Sequence, residues 1–155
     1  MNPNEQPEYP LWDDLSNTNW VENRGQCSTT LGFWSLAKVV ERDVQQANAL
    51  PEQLRGQHTF SFERNEKSAV EPFFRVIKRH QNFPSTMEGP CVVFVQKLTH
   101  IEITCQGHPV HGSTPIRVTP SWDAKRHQCH WWIDKTHYDL WQVSQEVLGD
   151  LFFTQ

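Results

Sequence analysis

The chain has no stretch approaching 18 consecutive apolar residues, no internal repeat and no low-complexity segment. The first absence excludes a membrane-spanning helix, which needs about 20 such residues. There is no G-x-S-x-G elbow, no H-E-x-x-H pair and no glycine-rich phosphate loop. None of the compact motifs for nucleophilic, metal-hydrolytic or phosphoryl-transfer chemistry is therefore available, and the expectation is a protein that is not an enzyme and uses no cofactor. Positive charge is also scarce: 14 Lys and Arg stand against 18 Asp and Glu, a net charge of −4. Taken whole, that balance argues against a polyanionic partner, whose phosphates call for Lys and Arg. The start, MNPNEQPEYPLWDD, has neither the basic region nor the apolar core of a secretion signal. Cys27, Cys91, Cys105 and Cys129 are accordingly expected to be four reduced thiols of an intracellular protein, with no disulfide among them.

What is present is aromatic and β-branched. A length of 155 residues suits one domain with a sizeable core, and seven Trp and nine Phe supply large burial areas. Residues 1–27 lack periodicity and read as an acidic, Pro-rich arm, leaving 28–155 as a single domain. Ser28–Thr30 offer cap hydroxyls for a helix reaching about Ala49, with Phe33, Leu36, Val40, Val44 and Ala47 on one face and Pro51 as its stop. Gln57–Glu63 alternates as a strand with Phe60 and Phe62 on one side. Pro72 to about Gln81, started by Pro72 or by a Ser68/Glu71 capping box, reads as a second helix. It would bury Phe73, Val76, Ile77 and His80 and turn Arg75, Lys78, Arg79 and Asn82 outward.

The stretch from Cys91 to Asp134 carries the clearest pattern. Residues 92–96 and 100–104 alternate at period two across the Leu98–Thr99 link, which predicts a hairpin, and Ile116–Thr119 and Gln128–Ile133 are two further strands. One of the neighbours Trp131 and Trp132 must face the core and the other away from it. Thr136 or Asp134 can cap a third helix that Gly149 stops, with Leu151–Phe153 as an edge strand. The fold class this predicts is α+β, a mostly antiparallel sheet with about three helices packed against it.

Charge is distributed unevenly. No base precedes Arg24, whereas residues 72–135 hold eight bases against four acids, a local net of +4. Such asymmetry points to a polyanion-binding face, with a solvated surface as the plain alternative. The candidate DNA contacts are Arg75, Lys78, Arg79 and His80 on the second helix, Arg117 on a strand, and Lys125, Arg126, His127 and Lys135 on loops. Trp122, Trp131 and Trp132 lie beside the last group, an aromatic and basic mixture that can stack on bases or clamp backbones. Cys105, His108 and His111, with His127, Cys129 and His130, have the ligand types of a zinc site. A strand at 128–133 would turn residues 129 and 130 to opposite sides, so a metal-free site is preferred.

The run CQGHPVHGSTPIRVTP, the following HWWIDK and the later VLGDLFFTQ resemble the transcriptional transactivator (Tas) family of the foamy viruses. The correspondence rests on Cys105, Val110–His111, Pro115–Ile116–Arg117 and Trp131 or Trp132, with Ala37–Glu63 resembling an upstream helix and aromatic strand. The resemblance implies a host-nuclear protein that binds double-stranded DNA of the viral long terminal repeat and internal promoter and activates transcription. Host transcription machinery would then be reached through regions this chain does not include. The same family context implies an alternative, a protein-interaction module of the Bet type that binds host cytidine deaminases. A zinc-binding, nucleic-acid-processing protein is the third reading.

Overall fold

A computed structural model of the chain describes residues 19–65, 70–82, 89–107 and 114–153. In chain order these form helices α1 (Trp20–Gln26), α2 (Thr29–Ala49) and α3 (Glu52–Arg55). Strands β1 (His58–Arg64), β2 (Phe73–His80), β3 (Cys91–Gln96), β4 (Ile101–Gln106), β5 (Ile116–Asp123), β6 (Gln128–Ile133) and β7 (Thr136–Tyr138) follow, and helix α4 (Leu140–Phe153) closes the order. The strands make one seven-stranded sheet in sequence order, every neighbouring pair antiparallel. The α+β class with a mostly antiparallel sheet is thus the observed one.

Helix α2 follows its sequence signals closely. The Ser28 hydroxyl accepts from the Leu31 backbone N–H at 3.2 Å, satisfying one of the unpaired donors of the first turn. Leu50 then turns to extended backbone before Pro51. Phe33, Leu36, Ala37, Val40, Val44 and Ala47 recur every three or four residues and are all buried. They rest on Phe60, Phe74, Val76, Val92, Phe94, Ile101, Ile103 and Val118 of the sheet. Phe74 and Phe94, cross-strand partners, stack at 4.4 Å between ring centres, and Phe33 meets Phe74 at 5.0 Å. Helix α4 adds Val143, Val147, Leu148 and Leu151 to the same core. The Ser144 hydroxyl donates to the Asp43 carboxylate at 2.7 Å, tying α4 to α2. At the outer side of β1, Asn48 donates from Nδ2 to the Phe60 carbonyl and accepts the Phe60 N–H at Oδ1, both at 2.8 Å.

Three sequence expectations are corrected. The segment 72–81 is not a helix: Phe73–His80 is strand β2, hydrogen-bonded on both sides. Phe74 and Val76 face the helices while Ile77 is buried from the opposite face, so apolar residues fall on both sides of the strand and their spacing imitates a helical stripe. Thr136 does not cap the last helix but begins β7, and the first turn of α4 is closed by Gln142 and Val143 donating to the Asp139 carbonyl. Gly149 does not stop α4 and Leu151–Phe153 is no edge strand; both lie within the helix, where the burial of Leu148 and Leu151 outweighs the poor helix propensity of one glycine. Strand β5 also outruns its expected end, continuing through Pro120 to Asp123.

Of the tryptophan pair, Trp131 faces the core, 4% exposed, and Trp132 faces away. Trp131 fits because position 32 of α2 has no side chain: a Cβ there would collide with the indole Cη2 and Cζ2. Gly32→Ala should therefore destabilise the fold by about 1–3 kcal/mol, the usual range for overpacking. Urea unfolding measures this, and pairing the change with Trp131→Leu should recover part of the loss.

Candidate nucleic-acid interface at the β5–β6 hairpin

The sheet separates the nine candidate contacts. On β2, Arg75 and Arg79 lie on the helix-free face, where both meet one carboxylate: Arg75 pairs with Glu63 at 2.8 Å and Arg79 with the same Glu63 at 3.4 Å. Arg79 also donates to the Ser61 hydroxyl at 3.0 Å. Lys78 points the other way and is 8% exposed, and burial lowers its pKa. His80 shares that side and meets His58 edge-on at 5.3 Å. The His58 pKa is lowered too, first by burial and then by the positive charges of Lys78 and His80. The expected outward set of Arg75, Lys78 and Arg79 is therefore split, with Lys78 on the buried side and the two arginines engaged with Glu63.

Arg117, exposed, is the second residue of β5 and pairs across with Glu102, and Lys135, exposed, lies in the β6–β7 turn at the same end of the strands. Lys125, Arg126 and His127 sit together at the opposite end, in the β5–β6 turn, and all three are exposed.

This turn is built by Asp123. Its Oδ1 accepts the backbone N–H of Lys125 at 3.0 Å and of Arg126 at 3.2 Å, an arrangement typical of an aspartate starting a turn. Its Oδ2 accepts from Arg126 at 3.2 Å and contacts His130 Nε2 at 3.0 Å. These bonds, that to His130 first and those from Arg126 and Lys125 after it, hold the Asp123 carboxyl well below the usual carboxylate range. His127 closes the turn with φ 52°, the left-handed conformation. Arg126 keeps 74% of its side chain exposed despite its ion pair, and a guanidinium has donors to spare for a second anion. Behind Asp123, His130 and His137 lie 4.1 Å apart by ring centres, with Trp132 5.0 Å from His137.

A feature missed in the sequence brings α1 to this hairpin. Cys27 and Cys129 form a disulfide, with Cα atoms 5.4 Å apart, while Cys91 and Cys105 are buried thiols outside that bond. The expectation of four reduced thiols is overturned. It rested on a targeting argument, and pairing across 102 positions leaves no trace in local spacing. The bridge turns the end of the expected arm into an attached helix. Helix α1 has no buried residue of its own, yet its Arg24 lies 5.9 Å over the Trp122 ring. Trp122 in turn meets His127 at 6.5 Å. Residues 1–18, including Trp12 and Leu15, lie outside the described residues.

The bridge also removes Cys129 from any zinc site. Cys105 is on β4, two strands from β6 and so about 10 Å away, too far to share an ion with it. His108 and His111 lie outside the described residues, and among those described no His, Cys, Asp and Glu group has metal-binding geometry. Burial raises the pKa of the Cys105 thiol, with the neighbouring Cys91 and Asp150 adding to it.

Between α1, α2, the hairpin and the start of α4 is a cleft of about 350 Å³. Half-buried Trp122 supplies most of its aromatic surface, since Trp131 is buried, and Asn23, Gln26, Gln128 and Asp139 supply its polar groups. Compared with models of known families, curated proteins and solved structures, the chain gives no significant match.

Two outcomes follow. Thiol titration of the denatured, unreduced protein should find two free thiols rather than four, and Cys27→Ser should cost about 2–4 kcal/mol of stability, the usual worth of a bridge closing a long loop. Because the folded-state pKa of Asp123 is depressed, its contribution is complete above the unfolded value of about 3.9 and is lost as pH falls below it. Asp123→Asn should flatten the fall in melting temperature between about pH 4 and pH 2, measured against the parent protein.

Proposed function

We propose that the chain is a non-enzymatic nucleic-acid-binding module that meets a phosphate backbone with the tip of the β5–β6 hairpin. The observation that carries this reading is the shared exposure of Lys125 and Arg126 on a turn fixed by Asp123, with Arg24 held over the adjoining Trp122. A turn already bonded in shape loses little entropy on binding, and a positive tip can act locally although the whole chain is negative. The contacts of Arg75 and Arg79 with Glu63 and the burial of Lys78 argue that these three contribute less. That the partner is double-stranded promoter DNA, and that the setting is a host nucleus, rests on the resemblance to the foamy-virus transactivators alone.

A second reading, a protein-interaction module, is favoured by apolar side chains left in solvent: Trp20 and Val21 on α1, Leu31 in the first turn of α2 and Trp141 at the start of α4. The two readings differ in salt dependence. Titrating labelled duplex DNA by anisotropy at several salt concentrations should give an affinity that falls with salt. Lys125→Ala and Arg126→Ala should each reduce the slope of log K against log salt by about 0.9, one counterion-releasing contact apiece. Arg75→Ala and Arg79→Ala should leave it unchanged. Absence of binding at low salt, or a slope indifferent to Lys125 and Arg126, removes the hairpin reading in favour of the apolar one.

A further inference from the structure

The cleft behind the hairpin tip has a composition that phosphate contact alone does not use. At about 350 Å³ it is at the small end of the range for ligand pockets, about 300–1,000 Å³. Its accessible aromatic surface is that of half-buried Trp122, with the buried Trp131 indole, fixed by the Gly32 notch, beneath it. Asn23 and Gln26 of α1 and Gln128 of β6 contribute carboxamides, each both a donor and an acceptor. An aromatic plane beside paired donors and acceptors matches a flat heterocycle with a hydrogen-bonding edge. An aliphatic ligand would leave the amides unused, and an anion would face Asp139. Lys125 and Arg126 follow Trp122 after Asp123 and Ala124, and His127 of the same turn lines the cleft. A backbone on the tip therefore has a base-sized recess within reach.

One wall of this recess is α1, and little but the covalent bridge holds it. A helix of seven residues is too short to persist by itself in water, and α1 buries none of them. The Cys27–Cys129 bond joins its end to β6 at the cleft, Cys129 being among the lining residues. We propose that the cleft receives a single unstacked nucleobase of a strand whose phosphates lie on Lys125 and Arg126, and that the disulfide holds the α1 wall completing it. This inference rests on the nucleic-acid reading above and narrows it to single strands or locally opened duplexes. A dithiol reductant would release the wall by thiol–disulfide exchange, its two thiols becoming a disulfide as Cys27 and Cys129 take up the two electrons and two protons.

The test uses the full chain in non-reducing buffer with two labelled probes of equal length and charge: oligodeoxythymidine and the same backbone made entirely of abasic residues. The oligodeoxythymidine should bind tighter by about 5- to 150-fold, the range that stacking of one base supplies. Asn23→Ala combined with Gln26→Ala should reduce that ratio toward one while leaving abasic binding as it was, because both side chains are on an exposed helix. Cys27→Ser should do the same, with circular dichroism confirming that the sheet persists. Lys125→Ala with Arg126→Ala should weaken both probes alike. Equal affinity for the two probes, with the salt slope intact, overturns the cleft and leaves the hairpin reading standing. A preference for bases that survives the Asn23 and Gln26 changes overturns the cleft as well, and one that survives Cys27→Ser overturns the role of the disulfide. Failure of both probes to bind at low salt overturns both readings together.

Discussion

The contact on which this fold turns is the one between Trp131 and the bare backbone of Gly32. A 21-residue helix lies across a seven-stranded sheet, and its core-facing side chains can reach Phe74, Phe94 and Val118 only if its first turns come down close to β6. An indole in that position would prop up any residue with a Cβ. Glycine costs about 1 kcal/mol of helix propensity, and here the cost is offset by burial of a tryptophan. The same indole also borders the cleft beside the β5–β6 hairpin.

Much of the architecture was legible because its signals are local. Ser28, the apolar stripe from Phe33 to Ala47 and Pro51 define α2 without reference to anything distant. The alternation across Leu98–Thr99 gives the β3–β4 hairpin, and Gln128–Ile133 is β6 to the residue. The failures occur where two partners rather than one decide the outcome. Phe73–His80 has neighbours on both edges and buried residues on both faces, so period-two alternation is blurred and a helical spacing appears by coincidence. That single misreading had placed three of the nine candidate contacts, Arg75, Lys78 and Arg79, on one outward face, from which the strand removes Lys78. The exposed Lys125, Arg126 and His127 were legible for the opposite reason: a polar turn between two strands has nowhere to go but solvent. The joining of Cys27 to Cys129 had no local signature at all.

The disulfide changes what kind of object the first described segment is. A seven-residue helix that buries none of its side chains would ordinarily fray. Bridged to the sheet, Arg24, Asn23 and Gln26 become fixed parts of one surface with the hairpin. The chemistry of that surface is then set partly by the redox state of its surroundings and partly by sequence, a division that neither the charge balance nor the fold class would reveal.

Asn48 has a wider consequence. An open sheet has two edges, each a row of peptide groups able to recruit strands from other molecules. At one edge β7 offers only three residues. At the other, the Asn48 carboxamide bonds both the N–H and the carbonyl of Phe60, imitating the peptide unit of an eighth strand. An incoming chain would have to displace that amide at the middle of β1, giving up two short hydrogen bonds before forming its own. A helix side chain thus acts as a plug against edge-to-edge aggregation, protecting the colloidal stability of a protein whose strands are otherwise rich in the Val, Ile and Phe that amyloid-like stacking favours.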